Sequence, residues 1–156
     1  MSASLYGGLR KPVYVGICCL VFCLFSVGCT STSSTSQEAQ TVATAMFEAF
    51  NLHDWKKMSS YYADDAEFLD PSLGKNYVKQ SRDATAAKYS ELQHLFPDIR
   101  DDITEVHAAG ESVTVQFTSR GTGADGTPFE LPIVSVLTIR NGQIVKDATY
   151  YDLEIP

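Results

Sequence analysis

The chain has 156 residues, 44% of them hydrophobic, with 12 Lys or Arg against 19 Asp or Glu and a formal charge of −7. That length is enough for one core. All 19 acidic residues but only 10 of the basic ones follow Cys29, so this part carries −9, which excludes a basic stripe for nucleic acid and broad docking on anionic lipid.

Residues 1–28 read as an export signal. Arg10 and Lys11 form a positive start, Val13 to Val27 is an uncharged apolar run of 15 residues, and the small Ser26 and Gly28 lead to Cys29. The run is short for a helix that must cross ~30 Å of hydrocarbon. Ser26-Val27-Gly28-Cys29 resembles the lipobox of bacterial lipoproteins, with Ser where Leu is usual. The resemblance implies cleavage before Cys29, lipidation of Cys29, and anchoring in the cell envelope. With Thr30 rather than Asp next in the chain, it implies the periplasmic side of the outer membrane where a cell has one. An uncleaved signal anchor is the alternative. The four cysteines (Cys18, Cys19, Cys23 and Cys29) all lie at or before this point. The rest of the chain therefore has no disulfide, thiol nucleophile or cysteine metal site. Residues 29–36 are the lipidated cysteine and a Ser/Thr tether with no apolar side chain, and residues 37–156 are the domain.

Within the domain, Thr35-Ser36-Gln37-Glu38 has the capping-box pattern. Val42, Met46, Ala49 and Phe50 follow at helical spacing, predicting a helix to about Asn51. Asp54 caps a second, short helix carrying Trp55, Met58, Tyr61 and Tyr62, which "ADDA" breaks. "EFLDP" is a short strand ended by Pro71. A third helix is predicted from about Asn76 to Leu95. The pattern then turns to period two: strands in "DDITEVHAAG", "ESVTVQFTSRG", "PFELPIVSVLTIR" and "QIVKDATYYDL", joined by turns that include Gly126 and Asn141-Gly142. Three helices with one short strand among them, then a four-strand antiparallel meander, predict an α+β fold with helices on one face of a curved sheet.

"MFEAFNLHDWKKMSSYYADDAEFLDPSLG", "LFPDI", "VTVQFTSRGTG" and "TIRNGQIVKDATYYD" resemble the SnoaL-like polyketide cyclase branch of the nuclear transport factor 2-like superfamily, over roughly Ala39 to Asp152. The resemblance implies a cone-shaped sheet wrapped around three helices, with an apolar pocket at its open end. Relatives include polyketide cyclases, ketosteroid isomerases, epoxide hydrolases, dehydratases and proteins that only bind, so the fold alone does not fix the function.

Asp70 matches the position where the ketosteroid isomerases keep their general base. In an apolar cone its pKa should be raised, which suits proton transfer; alternatively Asp-Pro starts a turn and the carboxylate accepts backbone amides. The isomerase oxyanion donors have no counterpart: alignment puts Met46 at the tyrosine position and Ser135 or Val134 at the aspartate position. Asp147 shares a strand face with Val145, Thr149 and Tyr151, and by resemblance that face lines the pocket. It could pair with Asp70 as acid and base, or be an edge-strand charge, or a salt-bridge partner for Arg120 or Lys146. Gln116 and Arg120 share a polar face with Thr114 and Thr118. If that face is inside, Arg120 could hold a ligand carboxylate; outside, it is ordinary sheet surface. Tyr62, Tyr151 and Ser135 are further candidate ligand contacts. His53, His94 and His107 lack metal spacing with one another. "ADDA" (Asp64, Asp65) and "DIRDD" (Asp98, Asp101, Asp102) lack the order of a calcium loop and read as loop, cap and surface.

Three functions follow: a tethered pocket that binds a small, largely apolar molecule; a proton-transfer enzyme (cyclase, isomerase or dehydratase) with Asp70 as base; or an envelope interaction module, including a homodimer through the sheet face. No cofactor or metal is implied.

Overall fold

The computed structural model describes residues 30–152. The signal segment, Cys29 and its lipidation lie outside the described residues. Among the described residues no helix is long and apolar enough to cross a membrane.

Helix α1 (Thr30–Asn51) is followed by α2 (Trp55–Ser60), β1 (Tyr62–Leu69), a 3-10 turn (Pro71–Leu73), β2 (Val78–Gln80), α3 (Arg82–Leu95), β3 (Arg100–Ala109), β4 (Ser112–Thr122), β5 (Pro128–Arg140) and β6 (Gln143–Tyr150). The six strands form one curved sheet in the order β2-β1-β6-β5-β4-β3. The meander from β3 to β6 is antiparallel as expected. β1 joins it parallel to β6, with Phe68 opposite Asp147. This is the α+β cone implied by the sequence.

On α1, Ala39, Ala43, Met46, Phe47 and Phe50 are buried. Their spacings of three and four residues put them on one stripe, which faces the sheet. Small Ala39 and Ala43 let the helix lie close to β3 and β4. On β4, Val113, Val115, Phe117 and Ser119 are the buried set and alternate with outward residues. Asp54 caps α2 as predicted, its carboxylate accepting from the Lys57 N–H at 2.9 Å.

Four boundaries differ from the sequence reading. α1 starts at Thr30, so the residues assigned to a tether are helical. The Ser36 hydroxyl accepts from the Gly110 N–H at 2.8 Å, which ties this helical start to the β3–β4 turn. Tyr62 begins β1 rather than ending α2. "ADDA" does not end an element; it is the point in β1 where pairing with β6 slips, between Tyr62 and Glu67. Residues 78–80 pair with β1 instead of starting α3, and Ser81 caps that helix by accepting from Ala84 N–H.

Two side chains at the end of α1 position the start of β3. Asn51 brackets the backbone of Asp101, donating to its carbonyl at 2.9 Å and accepting from its N–H at 2.7 Å. His53 Nε2 donates to the Ile99 carbonyl at 2.6 Å while its Nδ1 accepts from Gln93 at 2.8 Å. Both ring nitrogens of His53 are thus engaged in holding α1, α3 and β3 together.

Candidate functional site

A cavity of about 810 Å³ opens between the helices and the concave face of the sheet. Its walls include Met46, Phe47, Phe50, Leu92, Phe117 and Ile133, and its exposed rim includes Ser72, Glu91, Leu95, Asp125 and Thr127. The size suits a small organic molecule. Among the described residues lining it, Asp70, Glu91, Asp101, Asp125, Glu130 and Asp147 are acidic and Lys88 alone is basic.

Asp70 and Asp147 both line this one cavity. Asp70 follows β1 and caps the 3-10 turn: its Oδ1 accepts from the Ser72 N–H at 2.8 Å, the Ser72 hydroxyl at 2.7 Å and the Tyr151 hydroxyl at 2.7 Å. Its Oδ2 takes the Lys88 ammonium at 2.7 Å. Burial raises its pKa, but the Lys88 hydrogen bond and charge, with Ser72 and Tyr151, outweigh burial and leave it below the usual carboxylate value. The expected raised pKa is therefore corrected. Asp70 is at once a turn cap and a cavity residue, held ionised by a lysine the sequence reading did not single out. The same contacts push the Tyr151 hydroxyl, through burial and the Asp70 hydrogen bond, up to about 12.

Asp147 is 6% exposed. Its Oδ2 accepts from the Tyr62 hydroxyl at 2.8 Å and its Oδ1 from the Thr149 hydroxyl at 2.9 Å, and Thr149 in turn meets Ser135 Oγ at 2.6 Å. Burial lifts its pKa against the Tyr62 and Thr149 bonds, and the nearby Asp70 charge lifts it further. The salt bridge with Arg120 or Lys146 considered above is not what it makes. Tyr62, itself buried, has its hydroxyl pKa raised first by burial and then by Asp147. Tyr62, Ser135, Asp147, Thr149 and Tyr151 thus come together on the cavity wall. Val145, expected on the same face, is the extra residue where β6 bulges against β5, so Ile144 takes the inward place.

Gln116 and Arg120 are not in the cavity. Both stand on the outer face of β4, Gln116 donating to Glu105 at 3.2 Å and Arg120 pairing with Asp102 at 2.9 Å and with Glu130. The inward set of β4 is apolar apart from Ser119, so a ligand carboxylate has no Arg120 to meet.

The residue that sequence reasoning missed is Asp101, assigned to the surface. It opposes Ser119 on the inward face of β4, is 6% exposed, and lines the cavity. Its Oδ1 finds no hydrogen-bond partner among the described residues. Burial raises its pKa to about 7, the Ser119 hydroxyl offsetting part of this and the Asp102 charge adding to it. Burial without a cation in contact makes it distinct from Asp70.

A sequence profile of the SnoaL-like domain matches residues 43–146. No curated protein matches the chain. Solved structures do. A proposed polyketide cyclase from Xanthomonas campestris pv. campestris is 25% identical with a TM-score of 0.68, covering 77% of this chain and 94% of its own. IdmH of Streptomyces antibioticus, also a proposed polyketide cyclase, is 24% identical with a TM-score of 0.65, covering 73% and 91%. A protein of ketosteroid isomerase-like fold from Catenulispora acidiphila, solved with trimethylamine, is 22% identical with a TM-score of 0.64, covering 72% and 85%. With its profile match spanning most of the described domain and its fold shared with these structures, the chain belongs to the SnoaL-like family of the nuclear transport factor 2-like superfamily.

Proposed function

We propose that this domain binds a small, largely apolar molecule in the cone while held at the membrane by lipid on Cys29. The observation that carries the binding reading is the cavity of about 810 Å³ with aromatic and aliphatic walls. A small molecule in the related Catenulispora structure supports it. Native mass spectrometry of the protein extracted from its own membrane tests it: a co-purified small molecule is expected. A protein that carries none, and that no apolar compound in a screen stabilises, would remove the reading. The anchoring rests on the sequence around Cys29. Because α1 starts at Thr30, the link is a helical stalk of seven residues up to Ser36, ~10 Å long at 1.5 Å per residue. Cys29→Ser should leave an unprocessed, unacylated precursor on mass analysis; a wild-type protein without acyl chains would end the anchoring proposal.

A second reading, proton-transfer chemistry of the cyclase or isomerase kind, is favoured by one observation. Two carboxyl groups share the cavity, and their surroundings move their pKa values apart. The roles differ from the expectation that Asp70 is the base. Asp70, ion-paired with Lys88, is the weaker base, and Asp147, whose pKa is raised first by burial, is the better proton carrier. Isomerisation of cyclohex-3-enone, followed by NMR in D₂O, is the assay. Asp147→Asn should reduce the rate by ~10²–10⁴. A wild-type rate no higher than that of buffer removes this reading for simple ketones and leaves binding untouched.

A further inference from the structure

Asp101 is a buried carboxylate whose free oxygen nothing in the catalytic or binding reading above uses. We infer that Asp101 and the aromatic rings beside it form a subsite for the ammonium group of a tertiary amine, so that the molecule bound in the cone is a hydrophobic organic cation. The inference rests on the binding reading and specifies its chemistry.

Four observations carry it. First, Asp101 lines the cavity, and its buried Oδ1 has no hydrogen-bond partner among the described residues, the residue being only 6% exposed. A buried carboxylate oxygen left unpaired is costly, and a ligand that pairs it removes that cost. Second, its place in the sheet sets aromatic groups on both sides. Asp101 lies opposite Ser119. Two residues along the inward face of β4 one way is Phe117, in edge contact with Phe47 at 4.8 Å. Two residues the other way is Gly121, opposite Phe129, whose ring is in edge contact with Phe96 at 4.7 Å. Gly121 is what lets that ring in, since a Cβ there would come within 2.8 Å of Phe129. Aromatic rings near a carboxylate suit an alkylated cation, which a ring face attracts and which is less costly to desolvate than a bare ammonium. Third, the charges of the cavity favour a cation. Lys88 is the one base among the described lining residues, and it is engaged by Asp70 at 2.7 Å. Among the described residues, an anion would meet no lining base that is free of an acid.

Fourth, the number of free acceptors selects the class of amine. One unpaired carboxylate oxygen has two lone pairs and accepts at most two N–H groups. A primary ammonium brings three donors and would leave at least one unpaired between phenyl rings, whereas a protonated tertiary amine brings one. A metal ion is a poor match: a single carboxylate among phenylalanines lacks the six or more oxygens that calcium takes, and no group of three His, Cys, Asp or Glu residues suited to a metal occurs among the described residues.

The test uses the full chain in lipid nanodiscs and titration calorimetry at pH 7.5 with three compounds of one shape. N,N-dimethylbenzylamine is protonated at this pH, isobutylbenzene is its neutral isostere, and 2-methyl-1-phenylpropan-2-ol offers a neutral donor. The amine should bind at least tenfold more tightly than either neutral compound. Asp101→Asn should bring that ratio close to one while leaving isobutylbenzene binding within twofold. Phe117→Leu, which keeps the apolar wall but removes a ring face, should reduce the ratio by a few-fold, and serves as the second variant where the asparagine protein does not fold. A wild-type ratio near one, a ratio that survives in Asp101→Asn, or tighter binding of the alcohol overturns the ammonium subsite. In each of those cases the binding of isobutylbenzene still upholds the cone as a binding site. If none of the three compounds binds, the binding reading and the subsite fall together.

Discussion

Replacing Asp101 by Asn should make the protein more stable, and the gain should depend on pH in one direction. The native carboxyl has a pKa of about 7 against an ordinary value of 3.8, chiefly through burial. A difference of about three units at ~1.4 kcal/mol each gives roughly 4 kcal/mol. Asp101 is 6% exposed, so solvent screening reduces this little. The groups that face it sharpen the expectation. Asp102 adds to the upward shift and the Ser119 hydroxyl opposes it, while Tyr62 and Tyr89, which feel its charge, remain neutral across the range. Between the unfolded and folded pKa values the native state holds a proton that the unfolded state has released. Stability therefore falls as pH rises from about 4 to about 7 and levels off above that. Asn keeps the shape and never ionises. Urea unfolding followed by circular dichroism at pH 4, 5.5, 7 and 8 should give curves for the two proteins that diverge steadily. The difference should reach several kcal/mol at pH 8, equivalent to ~10–20 °C in melting temperature for a domain of this size. Other titrating groups act on both proteins alike and cancel in the difference. Parallel curves from pH 4 to pH 8, or an asparagine variant less stable at pH 8, would refute the burial of an unpaired charge at this position.

Asp70→Asn should do the opposite: the depressed pKa contributes stability above ~3.8 that is lost as pH falls through the lower folded value, so the variant should lose about 1.5–3 kcal/mol at pH 7 and progressively less as pH is lowered in thermal melts. Tyr62→Phe removes the hydroxyl that donates to Asp147 at 2.8 Å and should cost about 1–3 kcal/mol in urea unfolding, with the Asp147 pKa moving further up in a carbon-detected NMR titration. Gly121→Ala forces the Phe129 ring away from a Cβ that would sit 2.8 Å from it; a loss of about 1–3 kcal/mol and a weaker amine affinity are expected from melts and calorimetry.

Strand β4 of the meander was legible because it is half-buried and alternates: its buried Val113, Val115 and Phe117 are the odd-numbered set that the sequence displays. On β6 the same alternation put Asp147 and Thr149 on one face, and the family resemblance put that face inward. Alternation failed for Asp101 because β3 carries an extra residue. Ile103 pairs with Phe117 and Glu105 with Gln116, so Thr104 is left over. Counting back in twos from Val106 and Ala108, which pack against the core, puts Asp101 outside, whereas the bulge returns it to the inside. Only its cross-strand partner could have revealed this, through a register that Ser119 and Arg120 alone do not fix. Lys88 was invisible for a different reason. Its role depends on how α3 crosses the end of β1, a tertiary relation that neither helical period nor charge pattern contains. Arg120 misled because a lone arginine on a strand is equally at home inside with a ligand or outside with Asp102 and Glu130.

The three carboxyl groups differ in partners more than in depth, and that difference determines what a ligand meets. Asp70 has a lysine, two hydroxyls and a backbone amide, so it is ionised and already neutralised as a pair. Asp147 has two hydroxyls and no cation in contact, so burial raises its pKa while both oxygens remain hydrogen-bonded. Asp101 has the Ser119 hydroxyl beside it and one oxygen without a partner, so it has the most to gain from a ligand. A molecule deep enough to reach Asp101 with its cation need not displace any existing bond, whereas one that engages Asp70 must compete with Lys88, and one that engages Asp147 must compete with Tyr62. Of these three acids Asp101 is therefore the one a ligand can engage without breaking an existing bond, and the ordering of the three, rather than the shape of the cone alone, is what separates this cavity from a merely apolar one.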